Sequence, residues 1–390
     1  MVNSQKIEEI LVAAIVFFIP FGGISIETGI VSLSIPNLLI IFTIMYLFCI
    51  YVYQETHFSK PQLAILSLFC IGFVLITVSS LVRGGSPRWI STYLGFIFIT
   101  TIFYVHINSI SDIRRLLLVA FLSAIVVSIL TIIHSVLYPV GHPLGGRYFG
   151  RRTLIGFTIP FQRTIGVRGL GFSGFGMMLM IGTPYYFYKS IRKRNIIFLL
   201  GVGVVLFGVF VSQSRSAWVA TGLAMITVII GHLIGGPEEE CRLTLLVFVL
   251  FSAALMGPYL IQLIIMVQPE TLYVRIEQYK IALNIMGTYP MFGIGIGNVD
   301  QVYSRYGIHN AFLRIGARAG FLVFSLVIIK WTLSVLFLIR GIYSSTARYV
   351  LTIGLLASLA AVAIQANMHV GFSKSYWVVL AIAVSLYSIR

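Results

Sequence analysis

The densest set of reactive side chains in this chain lies between Arg275 and Gly320, in RIEQYKIALNIMGTYPMFGIGIGNVDQVYSRYGIHNAFLRIGARAG. The stretch holds Arg275, Lys280, Arg305, His309, Arg314 and Arg318, with only Glu277 and Asp300 as acids. A histidine among so many cations suits proton removal beside an anionic ligand. Imidazole is the side chain that changes charge near neutral pH, and the planar guanidinium fork matches phosphate oxygens. A lone histidine is more often structural than catalytic, and the residue types alone leave both readings of His309 open. If a helix begins near Ile308, Asn310, Arg314 and Arg318 share one face at i, i+4 spacing, and His309 sits in its first turn.

Two further groups could act with it. Ser212-Gln213-Ser214-Arg215-Ser216-Ala217-Trp218 puts an arginine at the start of an apolar run. Such an arginine is costly in a membrane unless it is paired or faces a polar cavity, and the serines and freed N–H groups beside it could receive an anion. The competing reading is an interfacial arginine with a tryptophan anchor. The run PMFGIGIGN, Pro290 to Asn298, carries Gly293, Gly295 and Gly297. No βαβ unit surrounds it, so it is no dinucleotide loop. A tightly turned or flexible backbone that approaches a ligand closely is expected instead.

Other chemistries find little support. There is no CxxC, no HExxH and no cluster of carboxylates, so neither a metal nor a cofactor is expected. With so few acids, a paired-carboxylate mechanism is unattractive. Cys49, Cys70 and Cys241 lie in apolar runs or a short loop and predict no disulfide framework.

The elements that must hold these groups are membrane helices. Of the 390 residues, 58% are hydrophobic and 10% charged, where a soluble domain is about half apolar and roughly a quarter charged. Apolar runs of about 20 residues recur along the chain. They predict an all-α polytopic membrane protein, a single integral domain over 1–390 with about twelve spans. The expected limits are 8–22, 37–53, 62–82, 89–107, 115–138, 169–188, 196–211, 217–235, 243–266, 313–339, 349–369 and 375–389. The first, seventh and last are short enough to be tilted or re-entrant. The N-terminus has Glu8 and Glu9 beside Lys6 and no small-residue cleavage site, which reads as a retained first helix.

Lys189, Arg192, Lys193 and Arg194, with Arg114, Arg115, Arg340 and Arg348, set one face as cytoplasmic together with both termini. The other face carries 14 of the 27 Lys and Arg but only four acids, Glu27, Glu270, Glu277 and Asp300. Snorkelling to lipid phosphates would explain such an excess. So would a positive field focused on an anionic substrate. The inverted topology is a third possibility. Two loops on that face are long. Residues 139–168 hold Arg163 and Arg168 among five arginines interspersed with glycine and aromatics. Residues 267–312 hold the reactive stretch. Within the second, Leu272, Ile276, Tyr279 and Leu283 predict an amphipathic helix lying against the membrane or roofing a cavity, stopped at Thr288-Tyr289-Pro290.

SRSAW, RIEQYKIALNIMGTYPMFGIGIGN and HNAFLRIGARAG, in this order and placement, resemble the O-antigen ligase and polymerase superfamily of bacterial surface-glycan enzymes. The likeness covers about 160–340 in motif and the whole chain in topology. It implies a GT-C-like, metal-independent glycosyltransferase in the cytoplasmic membrane, working at the outer face. The donor would be a glycan on a polyprenyl pyrophosphate such as undecaprenyl pyrophosphate, and the acceptor a hydroxyl of a glycan or lipid. Nucleic acid is no partner. By the resemblance His309 is the base and Arg215 and Arg275 clamp the pyrophosphate. Asn310, Arg314, Arg318, Arg305, Lys280, Arg163 and Arg168 would support them. Arg318 departs from the family pattern, which favours a neutral or acidic residue near that helix glycine. The runner-up from another class is a lipid-linked oligosaccharide flippase or other polytopic transporter, which would favour repeats and ionisable groups inside spans. Only Lys330 is clearly deep in a span, and no repeat is evident.

Overall fold

The computed structural model describes residues 2–21, 25–27, 32–51, 58–83, 87–137, 153–154, 157–158, 179–235, 269–295, 308–341, 346–367 and 374–389. They form a helical bundle with two minimal antiparallel hairpins. The helices are α1 Val2–Phe18, α2 Ile35–Tyr51, α3 Lys60–Arg83, α4 Pro87–His106, α5 Ile110–Leu137, α6 Thr183–Lys193, α7 Ile196–Val211, α8 Arg215–Gly235, α9 Pro269–Thr288, α10 Ala311–Ala319, α11 Phe321–Gly341, α12 Thr346–Asn367 and α13 Lys374–Ser388. The hairpins pair Ser25–Glu27 with Ser32–Ser34 and Thr153–Leu154 with Phe157–Thr158. Among the described residues, Lys60–Arg83, Ile110–Val136, Ser216–Leu233 and Phe321–Arg340 are long and apolar enough to cross a membrane. Shorter apolar helices stand beside them, and the chain is an integral membrane protein.

The bundle is organised around α13, whose residues from Ser375 to Leu386 are all buried. A helix covered on every side belongs at the centre, so the last expected span, short as it is, is the hub. It packs on α3, α4, α11 and α12. Phe69, Phe96 and Tyr376 surround Trp377 with ring centroids 4.8–5.2 Å away. Lipid-facing positions run the other way, with Phe42, Met45, Phe48, Leu81 and Ile197 exposed. Small residues let helices close up, as membrane packing requires. A Cβ on Gly208 would fall 2.5 Å from Ser128 Cβ, and one on Gly354 would fall 2.8 Å from the Tyr185 backbone.

Polar contacts sort to two ends. At one end Glu8 meets His106 at 3.1 Å and Arg115 donates to Glu9 at 3.1 Å. There Ser59 donates to Ser388 at 2.7 Å, and Arg348 to the Ile389 carbonyl at 2.7 Å. These pairs explain why α1 starts at Val2, six residues before the expected span: its acids have partners on α4 and α5. Lys189 lies at this end, on α6. Burial and then the neighbouring cations Lys193 and Arg114 push its ammonium pKa down. At the other end Lys374 donates to Asn37, and the segment after α9 reaches α3.

One expectation needs correction here. The tenth span is not one helix over 313–339: it breaks at Gly320 into α10 and α11. The first of these begins at Ala311, because Asn310 is in an extended conformation and caps it, its Oδ1 accepting from the Leu313 N–H at 3.0 Å. The expected ninth span, 243–266, lies outside the described residues.

Candidate active site

The site is built on α9, the turn that follows it, and α10. α10 has only nine residues, about 14 Å at the helical rise, and every residue from Phe312 to Gly320 except Leu313 is buried. Ala311, Phe312, Ile315 and Ala319 join the main core of the bundle. Ala317, with Leu313 beside it, joins a separate small cluster formed with Ala282, Ile285 and Ile308. Since successive residues turn about 100°, Arg314 and Arg318 occupy the strip between those two packed faces. They are 8% and 4% exposed. The Tyr93 side chain of α4 lies within electrostatic reach of both.

Three grips hold α10. At its N-terminus the His309 N–H donates to Gln278 Oε1 of α9 at 3.2 Å, and Gln278 is 4% exposed. In the middle Gly316 lies under Met286: a Cβ there would meet the sulfur at 2.2 Å. At its C-terminus the turn after α9 supplies the donors that a helix end lacks. Ile294 N–H donates to the Ala317 carbonyl and Gly295 N–H to the Arg318 carbonyl, each at 3.0 Å. Phe321 N–H, the first of α11, donates back to the Pro290 carbonyl at 2.7 Å. Ser79 of α3 closes the joint, donating to the Phe292 carbonyl at 2.6 Å.

That geometry bears out the tightly turned backbone expected of the glycine run at Gly293 and Gly295, while Gly297 lies outside the described residues. Gly293 has φ +60°, and a Cβ on it would sit 2.5 Å from both Ala317 O and Arg318 C. The close approach is to the end of α10, so at Gly293 the missing side chain serves this joint.

The SRSAW turn is equally compact. Ser212, Gln213 and Ser214 are buried, and Gln213 adopts φ +50°. Trp218 is 2% exposed and its indole N–H donates to the Val209 carbonyl at 2.9 Å. It clasps α7 to α8 and is no interfacial anchor. Arg215 is the first residue of α8, which packs on α12, and α12 also touches α10.

Along α9 the expected amphipathic stripe faces outward, as a helix lying against the membrane would place it. Ile276 and Leu283 are 41% and 55% exposed, whereas Gln278, Ala282, Ile285 and Met286 are buried. In a bilayer the apolar face looks outward and small or polar residues make the contacts. Helical register puts Arg275 on the same face as Gln278 and Ala282, at i+3 and i+7. Lys280 is exposed. Arg163, Arg168 and Arg305 lie outside the described residues.

His309, Asn310, Arg314 and Arg318 are thus brought together, with Arg275 on the helix that grips them. Residues 198–328 match the O-antigen ligase family model. No curated protein matches the chain. The matched segment runs from α7 to the first turns of α11. It holds the SRSAW turn, α9, the glycine turn and α10, so the resemblance to the O-antigen ligase and polymerase superfamily holds. The O-antigen ligase match supports glycosyl transfer in surface-polysaccharide synthesis. Sequence reasoning missed Gln278 and Tyr93. Gln278 had a signal, being the polar residue in register with Ala282 and Ile285. Tyr93 had none, since nothing in the sequence pairs α4 with α10.

Proposed function

We propose that the protein moves a glycan from polyprenyl pyrophosphate to an acceptor hydroxyl at the outer face of the cytoplasmic membrane. The observation that carries this reading is α10 itself. It is a short buried helix with two arginines on one strip and His309 at its mouth, inside the segment that matches O-antigen ligase.

The chemistry follows from the groups. The lipid tail leaves one apolar medium for another on binding, so selectivity must come from the head group. Arg215 and Arg275 grip the pyrophosphate, each charge-assisted hydrogen bond contributing about 1.5–3 kcal/mol. The acceptor oxygen attacks the anomeric carbon while His309 takes its proton. The bond from that carbon to the pyrophosphate oxygen breaks, and the arginines stabilise the charge that grows on the leaving group. A base requires the neutral imidazole, the form that prevails above the ordinary histidine range. Arg314 and Arg318, on the buried helix that Asn310 caps, serve the acceptor side.

The test is reconstitution with a defined polyprenyl-pyrophosphate oligosaccharide and candidate acceptors. A transferred glycan with release of polyprenyl pyrophosphate is expected. Translocation of intact donor without transfer would replace this reading by a flippase, the alternative that the broken helix α10–α11 favours. Cysteines placed at Gly145 and Gln301 should label with impermeant reagents on intact cells. Labelling only after permeabilisation would move the site to the cytoplasmic face.

A further inference from the structure

We infer that Gln278 is a positioning residue that sets His309 relative to the donor-binding helix. This inference rests on the transfer reading above. An N–H can only donate, so the contact at His309 requires the Gln278 amide to present its oxygen. That oxygen joins two elements which the chain separates by 31 positions. On one side stands α9, with Arg275 one turn before Gln278 on the same face. On the other stands the start of α10, where His309 precedes the capping Asn310. Gln278 is 4% exposed, so no water readily replaces its oxygen. Gly316 and Met286 hold the middle of the same interface, and the Ile294 and Gly295 bonds hold its far end. Three contacts thus pin α10 to α9 and to the turn that follows it. The mouth of α10, where the chemistry is placed, depends on the Gln278 oxygen.

The consequence is a separation of roles along α9. Arg275 governs how well the donor binds, and Gln278 governs how well the base is aimed once it has bound. A misplacement near 1 Å costs on the order of 10²-fold in rate. Gln278→Leu keeps the volume and removes the acceptor. It should lower kcat about 10–100-fold with KM for the donor little changed. Gln278→Glu keeps an acceptor oxygen and should restore most of kcat. Its negative charge would favour protonated His309, so the acid limb of the rate profile should move to higher pH.

The experiment measures kcat, KM and the pH profile of both variants with the defined donor. It also measures the rate of carbethoxylation at His309 against pH, resolved by mass spectrometry. The expected result is a kcat loss in Gln278→Leu, rescue in Gln278→Glu, and an upward shift of the His309 profile in the glutamate variant by both readouts. An active wild type with Gln278→Leu inside threefold of its kcat would overturn the inference and leave the transfer reading intact. So would loss in both variants with an unshifted carbethoxylation profile, which would make Gln278 merely structural. If the wild type transfers nothing, the transfer reading fails, and carbethoxylation alone decides whether Gln278 controls His309.

Discussion

Gly320→Ala should uncouple α10 from the turn that caps it, and its cost can be worked from the structure. Gly320 sits at φ +95° and ψ 170° between two helices, a region that side chains other than glycine's hardly enter, at about 1–3 kcal/mol. A Cβ there would lie 2.3 Å from the Met291 carbonyl oxygen and 2.7 Å from that of Pro290. Both are backbone atoms that cannot rotate away, so the turn must withdraw. Withdrawal breaks the Phe321 bond to Pro290 and strains those of Ile294 and Gly295, each contributing about 0.5–1.5 kcal/mol net. The total is on the order of 3–5 kcal/mol. Gly287→Ala is the control: a Cβ meets nothing within 4 Å there, and inside α9 it should stabilise by about 0.5–1 kcal/mol. Hydrogen exchange in detergent is the assay. Protection of the Ile294, Gly295 and Phe321 amides should fall roughly 100-fold or more in Gly320→Ala, with transfer lost in parallel. Protection within threefold of wild type would refute the reasoning, because it would mean that the joint tolerates a side chain where the geometry leaves no room.

Three other outcomes are expected. Arg215→Ala or Arg275→Ala should lower kcat/KM for the donor about 10–100-fold without preventing insertion, and Arg→Lys should rescue only partly; unchanged donor kinetics would remove that residue from the site. His309→Gln should lose roughly 10²–10⁴-fold in single-turnover transfer while still binding donor, and the wild-type rate should fall on acidification as the imidazole protonates; a variant within a few-fold of wild type would leave proton removal to another group. Lys330 is 4% exposed, with Nζ 3.9 Å from the Phe69 ring centre and 5.1 Å from that of Trp377, so Lys330→Met should change unfolding stability by less than about 1 kcal/mol. The roughly 2.5–3.5 kcal/mol cost of a cation in a span is offset by cation–π attraction of about 2 kcal/mol or more; a loss above about 3 kcal/mol in a denaturation curve would show that this balance is wrong.

Much of the helical frame was legible because apolar runs in a membrane protein mark helices directly. α7 falls on Ile196–Val211, the expected seventh span, and Asn195 supplies the start signal by accepting from the Ile197 and Phe198 N–H groups. The end of α9 at Thr288 follows from Pro290 in the same way. The stripe along α9 reads as lying against the membrane or roofing a cavity, and Ile276 and Leu283 do face outward; what was not legible is which small and polar residues make the inward contacts. In water Ile276 and Leu283 would point to the core, and here they are exposed while Gln278 and Ala282 are buried. Hydrophobic periodicity measures contrast with the solvent, and lipid removes that contrast. The break at Gly320 was hidden for a related reason. Residues 313–339 read as one continuous span, and only the carbonyls of Pro290 and Met291, brought in by the fold, leave no room for a side chain at the break.

The same dependence explains why the surroundings of His309 could not be read from the sequence. A nine-residue helix is too short to be stable alone, and one with two arginines is poorly suited to the interior of a bilayer protein. α10 persists because α9, the glycine turn and Ser79 of α3 satisfy its ends. The contacts that keep it folded are also the ones that fix the backbone at His309 and hold Arg314 and Arg318 inside the bundle. On the transfer reading, stability and function share one set of bonds at this helix. A substitution that loosens α9 from α10 should lower both together, whereas one on the lipid-facing side of α9, such as Leu283→Ala, should lower neither.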